Sequence, residues 1–126
     1  MKTLINGNWV SRSVEEKTVD GSFKRHKTAF RNWITRDGSA GPSGKGGFKA
    51  ESKRYHLYVS LACPWAHRTL IIRLLKGLNE HVGVSIVHPL MKENGWELVN
   101  DYPSTTGDPI LGKSAIYEIY LKAFPF

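Results

Sequence analysis

Apolar positions follow two regimes along the chain, and the change falls near residue 54. Before it, hydrophobic residues are scattered among basic and glycine-rich stretches. Residues 5–10, INGNWV, read as one short strand after a turn at Asn6-Gly7. Residues 23–34 mix Phe23, Phe30 and Trp33 with five basic residues, without a clear period. Residues 36–47 hold five glycines and a proline, which reads as a loop or linker too poor in apolar side chains to pack. No repeat at a fixed period is present.

After residue 54 the pattern becomes regular. Residues 55–62, YHLYVSLA, are aromatic and β-branched and predict a buried strand. Residues 64–78 carry Trp65, Leu70, Ile71, Leu74, Leu75 and Leu78 at spacings near three and four, which predicts an amphipathic helix. Pro64 suits the first helical position, and Arg73, Lys76 and Gly77 suit its end. Residues 82–90, VGVSIVHPL, predict a second strand closed by a proline. Strand, helix and strand in so short a span make a βαβ unit with parallel strands and a right-handed crossover. Residues 91–112 then read as a long loop with turn signals at Asn94-Gly95 and Gly107-Asp108-Pro109. Residues 113–124 predict a second helix, capped by Ser114, with Ile116, Ile119, Tyr120 and Ala123 on its apolar face. The expected class is therefore α/β, in βαβα order, behind an irregular N-terminal extension. The expected division is an extension over 1–54 and an α/β part over 55–126. Two parallel strands form a small sheet for a domain.

Composition adds limits. With 126 residues, one domain is expected. No apolar run approaches the roughly 20 residues that cross a bilayer, so no membrane partner is expected. The first ten residues lack the apolar core of a secretory signal. A single cysteine forms no internal disulfide, which suits a reducing compartment, most simply the cytoplasm. The net charge of +7 is uneven: residues 1–56 hold 12 Lys/Arg against 5 Asp/Glu, and residues 57–126 hold 6 of each. A basic arm of this kind is either a solvated extension or a surface for an anionic partner. The chain has no aromatic RNP pattern, so nucleic-acid binding is the least favoured function.

The lone cysteine is Cys63, in SLACPWAHR. It falls at the end of the first predicted strand of the βαβ unit and just before helical Pro64. Exposed backbone N–H groups and the positive end of the helix dipole favour an anion there, and a thiolate is one. His67 and Arg68 follow in the first turns. The location makes a nucleophile chemically reasonable, while a small buried apolar residue is the other reading. Ala66 stands where a C-x-x-C motif would have its second thiol, so any redox chemistry is monothiol and an adduct is resolved from outside. The histidines show no ligand spacing, so no metal is expected. GPSGKGG, residues 41–47, lacks the Gly-Lys-Ser/Thr of a phosphate loop and follows no strand. Trp96, in ENGW, lies past the C-terminal end of the second βαβ strand, where α/β proteins commonly bind ligands; a partly buried loop anchor is the alternative.

At these residues the chain resembles a known family. RYHLYVSLACPWAHRTLIIRLLKGL (residues 54–78) and VHPLMKENGWEL (87–98) are similar to the glutathionyl-hydroquinone reductases, also called Xi-class glutathione transferases. FRNWITRDGSAGPSGKGGFKAESKRYHLY (30–58) and TGDPILGKSAIYEIYLKAFP (106–125) resemble the same family. The resemblance implies a thioredoxin-like domain followed by an all-helical one, in a dimer. It implies glutathione as co-substrate and a glutathionyl-hydroquinone as substrate. Cys63 would take the glutathionyl group as a mixed disulfide, a second glutathione would resolve it, and Trp96 would line the glutathione site. Family members continue with a Val-Pro hairpin and a Glu-Ser pair that hold glutathione. The expectation is therefore an N-terminal portion, an incomplete thioredoxin-like domain whose dimer contacts are not implied. Three functions follow: a glutathione-dependent reductase, a non-catalytic truncated piece of such an enzyme, or a basic nucleic-acid-binding module.

Overall fold

The computed structural model describes residues 2–11 and 30–123. Phe23 and the basic residues 24–27, the end of the second predicted helix at Phe124, and the rest of residues 12–29 lie outside them. The element order is β1 (Lys2–Ile5), β2 (Asn8–Ser11), β3 (Ile34–Thr35), β4 (Phe48–Lys49), β5 (Tyr55–Val59), α1 (Pro64–Leu75), β6 (Val82–Ile86) and α2 (Ile116–Ala123).

β5, α1 and β6 form the expected βαβ unit. β5 and β6 pair in parallel, from Tyr55 opposite Val82 to Val59 opposite Ile86. Both strands are shorter than their apolar runs. Ser60 and Ala62 leave the strand because Ser60 turns the chain: its carbonyl accepts from the Cys63 amide (3.1 Å) and its hydroxyl from the Ala62 amide (3.2 Å). After Ile86, the Val87 amide still donates to the Val59 carbonyl (2.9 Å), and Pro89 follows. Among the described residues β5 pairs with β6 alone.

Helix α1 begins at Pro64 as predicted and stops at Leu75. Gly77, at φ 65°, takes the left-handed conformation that ends a helix without a Cβ penalty. The Leu78 amide donates to the Arg73 carbonyl (2.9 Å) and the Gly77 amide to the Leu74 carbonyl (3.0 Å). That double bond pattern satisfies two of the last helical carbonyls. Arg73 then ties the helix to the next strand, donating through Nε to the Val82 carbonyl (2.7 Å) and through Nη2 to the Asn79 carbonyl (2.8 Å).

The predicted apolar face of α1 is not buried. The helix has no buried residue, Trp65 is 60% exposed and Leu75 is 75% exposed. Periodicity reports a face able to pack, and among the described residues no layer covers this one.

α2 corrects the predicted cap. It starts at Ile116, so Ala115 rather than Ser114 holds the capping position. Glu118 does the work from within the first turn: its Oε2 accepts from the Ser114 (2.8 Å) and Ala115 (3.0 Å) amides. The predicted apolar face, Ile116, Ile119, Tyr120 and Ala123, lines an open cavity of about 290 Å³ together with Tyr58 and Phe30.

The extension holds more structure than expected. The strand expected after the Asn6-Gly7 turn is β2, and the structure adds β1 before it: the two pair as an antiparallel hairpin with Leu4 opposite Trp9, and Asn6 and Gly7 make the turn with positive φ. β3 and β4 pair in parallel and pin both ends of the glycine-rich segment 36–47.

The core gathers at one end of the β5–β6 pair. Val59, Val87, Leu98 and Ala115 are its buried apolar residues, with Ser60, Ser85 and His88 buried beside them. Ser85, fully excluded from solvent, is satisfied by His56 Nε2 at 2.7 Å. Burial lowers the His56 pKa, against an opposing pull from the Asp108 charge.

Candidate functional site

Parallel pairing brings the C-terminal ends of β5 and β6 to the same side of the sheet, and both candidate residues follow those ends. Cys63 lies four residues past Val59, and Trp96 lies in the loop past Ile86.

Cys63 is the capping residue of α1, in extended conformation (φ −96°, ψ 116°). Its carbonyl accepts the first helical bond from the His67 amide (3.0 Å), and its side chain makes no capping bond. The thiol is half-buried and forms no disulfide. The backbone therefore holds the Cys63 Cα from both sides, through Ser60 and through the helix, while sulfur takes no share of the capping. His67 and Arg68 are exposed on the first turns.

Trp96 is half-buried on a loop tied down at every step. Lys92 and Gly95 close a tight turn with bonds in both directions, 3.1 and 3.0 Å. The Trp96 carbonyl accepts from the Ile116 amide (3.0 Å), at the start of α2. Next to it, the Glu97 carbonyl accepts from the His88 amide (2.9 Å) and the Leu98 amide donates to the Ser114 carbonyl (2.8 Å). Lys92 Nζ reaches Glu97 Oε2 at 3.4 Å across the turn.

Gly95 is buried at φ 75°, and a Cβ there would lie 3.1 Å from Cζ2 of Trp9. Gly95→Ala is expected to cost about 1–2 kcal/mol from the left-handed backbone alone. A urea midpoint measures it, and an unchanged midpoint would refute the geometry.

One group at this side of the fold was not foreseen as more than a turn residue. Asp108, in the Gly107-Asp108-Pro109 turn, accepts from the Tyr58 hydroxyl (2.9 Å) and from the amides of Ile110 (3.1 Å), Leu111 (3.1 Å) and Lys113 (2.9 Å). Burial raises its pKa, and the Lys113 and Leu111 amides with the Tyr58 hydroxyl outweigh that, so the carboxyl stays below its ordinary value. Tyr58 is pushed up to about 12, first by burial and then by its bond to Asp108 and that residue's charge. An aspartate two to five residues ahead of the amides it binds is a recognisable turn signal; the tyrosine 50 positions earlier is not.

Among the described residues no three His, Cys, Asp or Glu side chains come together as metal ligands, and no helix is long and apolar enough to cross a membrane.

The glutathionyl-hydroquinone reductase YqjG of Escherichia coli K12 is 54% identical to this chain over 125 residues, which are 99% of the chain and 38% of that protein. In the glutathione-bound structure of YqjG the match has a TM-score of 0.78 at 50% identity, over 98% of this chain and 34% of that one. The chain matches the N-terminal thioredoxin-like part of the Xi-class glutathione transferases. A Xi-class transferase from Natrialba magadii superposes with a TM-score of 0.82 at 42% identity, over 99% of this chain and 36% of its own length. The chain thus spans little more than a third of the Xi-class relatives it matches. No protein-family model matches it. The mixed α/β topology expected from the resemblance is the one the Xi-class neighbours share.

Proposed function

We infer that this chain carries the thiol centre of a glutathione-dependent reductase of glutathionyl-hydroquinones, with Cys63 as the nucleophile and Trp96 as a wall of the glutathione site. The observation that carries the reading is the position of Cys63: a half-buried thiol at the cap of α1, on the same end of the sheet as the Trp96 loop. The Xi-class likeness supports glutathione as the co-substrate.

The chemistry is two sulfur exchanges. The Cys63 thiolate attacks the sulfur of the glutathionyl-hydroquinone. The S–S bond of a mixed disulfide forms, the sulfur–aryl bond breaks, and the aryl carbon takes up a proton as the free hydroquinone leaves. The two sulfurs are oxidised to a disulfide and the aryl carbon is reduced. A glutathione thiolate then attacks the mixed disulfide, releasing oxidised glutathione and regenerating the Cys63 thiolate. Ala66 supplies no second thiol, so the external thiol completes the cycle.

The test is intact-mass analysis after mixing the chain with a glutathionyl-hydroquinone and no free glutathione. One glutathionyl group per chain and an equal amount of released hydroquinone are expected, and added glutathione should clear the adduct. An unmodified chain under those conditions would sink the reading.

One observation favours a second reading. The apolar face of α1 is exposed and β5 is paired on one side only among the described residues. On that reading the chain is non-catalytic: Cys63 forms a mixed disulfide with oxidised glutathione at the slow rate of an ordinary thiol, and no hydroquinone is released. The two readings part on hydroquinone release. The expected division into 1–54 and 55–126 is kept here as part of the proposal.

A further inference from the structure

The β1–β2 hairpin does not stand apart from the rest of the fold. Lys2 and Trp9 lie on the same face of it, because Leu4 opposes Trp9 and Lys2 is two residues from Leu4. That face is spent on the turn just before Trp96. Trp9 Nε1 donates to the Glu93 carbonyl (3.3 Å), and Lys2 Nζ meets Glu93 Oε1 at 2.8 Å. The Trp9 ring stacks on Tyr117 of α2, with centroids 4.6 Å apart and planes 10° apart. The same ring lies against Gly95, where a Cβ would come within 3.1 Å of Cζ2 and 3.3 Å of Cη2.

We propose that this hairpin is a brace for the Trp96 loop, with Trp9 as its positioning residue. The reading of what Trp96 is positioned for rests on the function inferred above. Trp9 works through the backbone: it holds Glu93 and Gly95 on one side of Trp96, while the Ile116 amide holds the Trp96 carbonyl on the other. Both peptide units flanking the Trp96 side chain are therefore fixed before any ligand arrives. Tyr117 closes the arrangement, because the helix that receives the Trp96 carbonyl also supplies the ring on which Trp9 stacks. A loop ordered in advance spares the ligand the entropy of ordering it.

The test uses the whole chain labelled with fluorotryptophan, with the Trp96 signal assigned through Trp96→Phe. Trp9→Ala is expected to speed hydrogen exchange at the Gly95 amide about tenfold, as a local opening rather than a global one. It should also shift or broaden the Trp96 fluorine signal. Exchange in β5 and β6 and the alkylation rate of Cys63 by iodoacetamide should not change. Trp9→Phe keeps a ring on Tyr117 but loses the bond to Glu93 and part of the contact with Gly95, so exchange there should be about threefold to fivefold faster than in the parent. Wild-type exchange at Gly95 in Trp9→Ala overturns the brace. An increase spread equally over β5 and β6 overturns it too, since that is general destabilisation. Should Trp9→Ala fail to fold, Trp9→Phe decides by the same comparison, and no local change at Gly95 overturns the proposal.

Glutathione titration is the second arm. Trp9→Ala should weaken the apparent Kd about fivefold to tenfold, and Trp9→Phe should recover most of it. Unchanged binding in a loosened loop overturns the positioning role. A parent chain that binds no glutathione instead removes the inferred function of Trp96, and the exchange comparison still decides the brace.

Discussion

Cys63→Ser is expected to lower release of hydroquinone from a glutathionyl-hydroquinone by about a thousandfold or more, as loss of a covalent nucleophile does. The reason lies in the element. A serine hydroxyl stays protonated at neutral pH and forms no disulfide, so neither exchange step has a counterpart. The substitution isolates chemistry from folding because of where Cys63 lies. It caps α1 without using its side chain, and Pro64 follows at the first helical position. Serine is a preferred capping residue, so the variant should be as stable as the parent or more stable by up to about 1 kcal/mol. Activity and stability should therefore move in opposite directions. Turnover retained by a folded Cys63→Ser chain would remove Cys63 from the mechanism.

The largest expected loss of stability belongs to Asp108→Ala. The carboxylate gathers three backbone amides and the Tyr58 hydroxyl, and alanine leaves all four donors without that acceptor. Hydrogen bonds to a charged group put the cost at about 3 kcal/mol, a large share of the 5–15 kcal/mol typical of a domain. A urea unfolding midpoint measures it. The pH profile gives a sharper signature. Asp108 has a lowered folded pKa, so its contribution is present above the ordinary carboxylate range and is lost as pH falls through the lowered value. Tyr58 has a folded pKa raised to about 12 from 10.0, so its contribution is present below 10 and is lost as pH rises towards 12. Asp108→Ala should remove the acid arm and reduce the alkaline one, and Tyr58→Phe should remove the alkaline arm and only weaken the acid one. An alkaline arm unchanged in both variants would refute the pairing.

The amino-acid sequence by itself determined the parts of this protein that depend on neighbours in the chain. The start of α1 was legible because Pro64 lacks an N–H where none is needed, and its end because Gly77 adopts positive φ without strain. The parallel pairing of β5 and β6 followed from two apolar runs joined by a helix, and the place of Cys63 between β5 and α1 followed from the first run and Pro64. Three features were decided only by tertiary structure. The apolar stripe of α1 is exposed, because periodicity tells which face can pack and not whether a layer covers it. Asp108 met Tyr58 from 50 residues away. Trp9 reached Glu93 across 84 residues, joining a terminal hairpin to the loop of Trp96. The physical reason is common to the last two. Backbone preferences act within a few residues and leave a pattern, whereas a contact between distant side chains depends on how the elements are placed in space, and one chain carries no periodic trace of it.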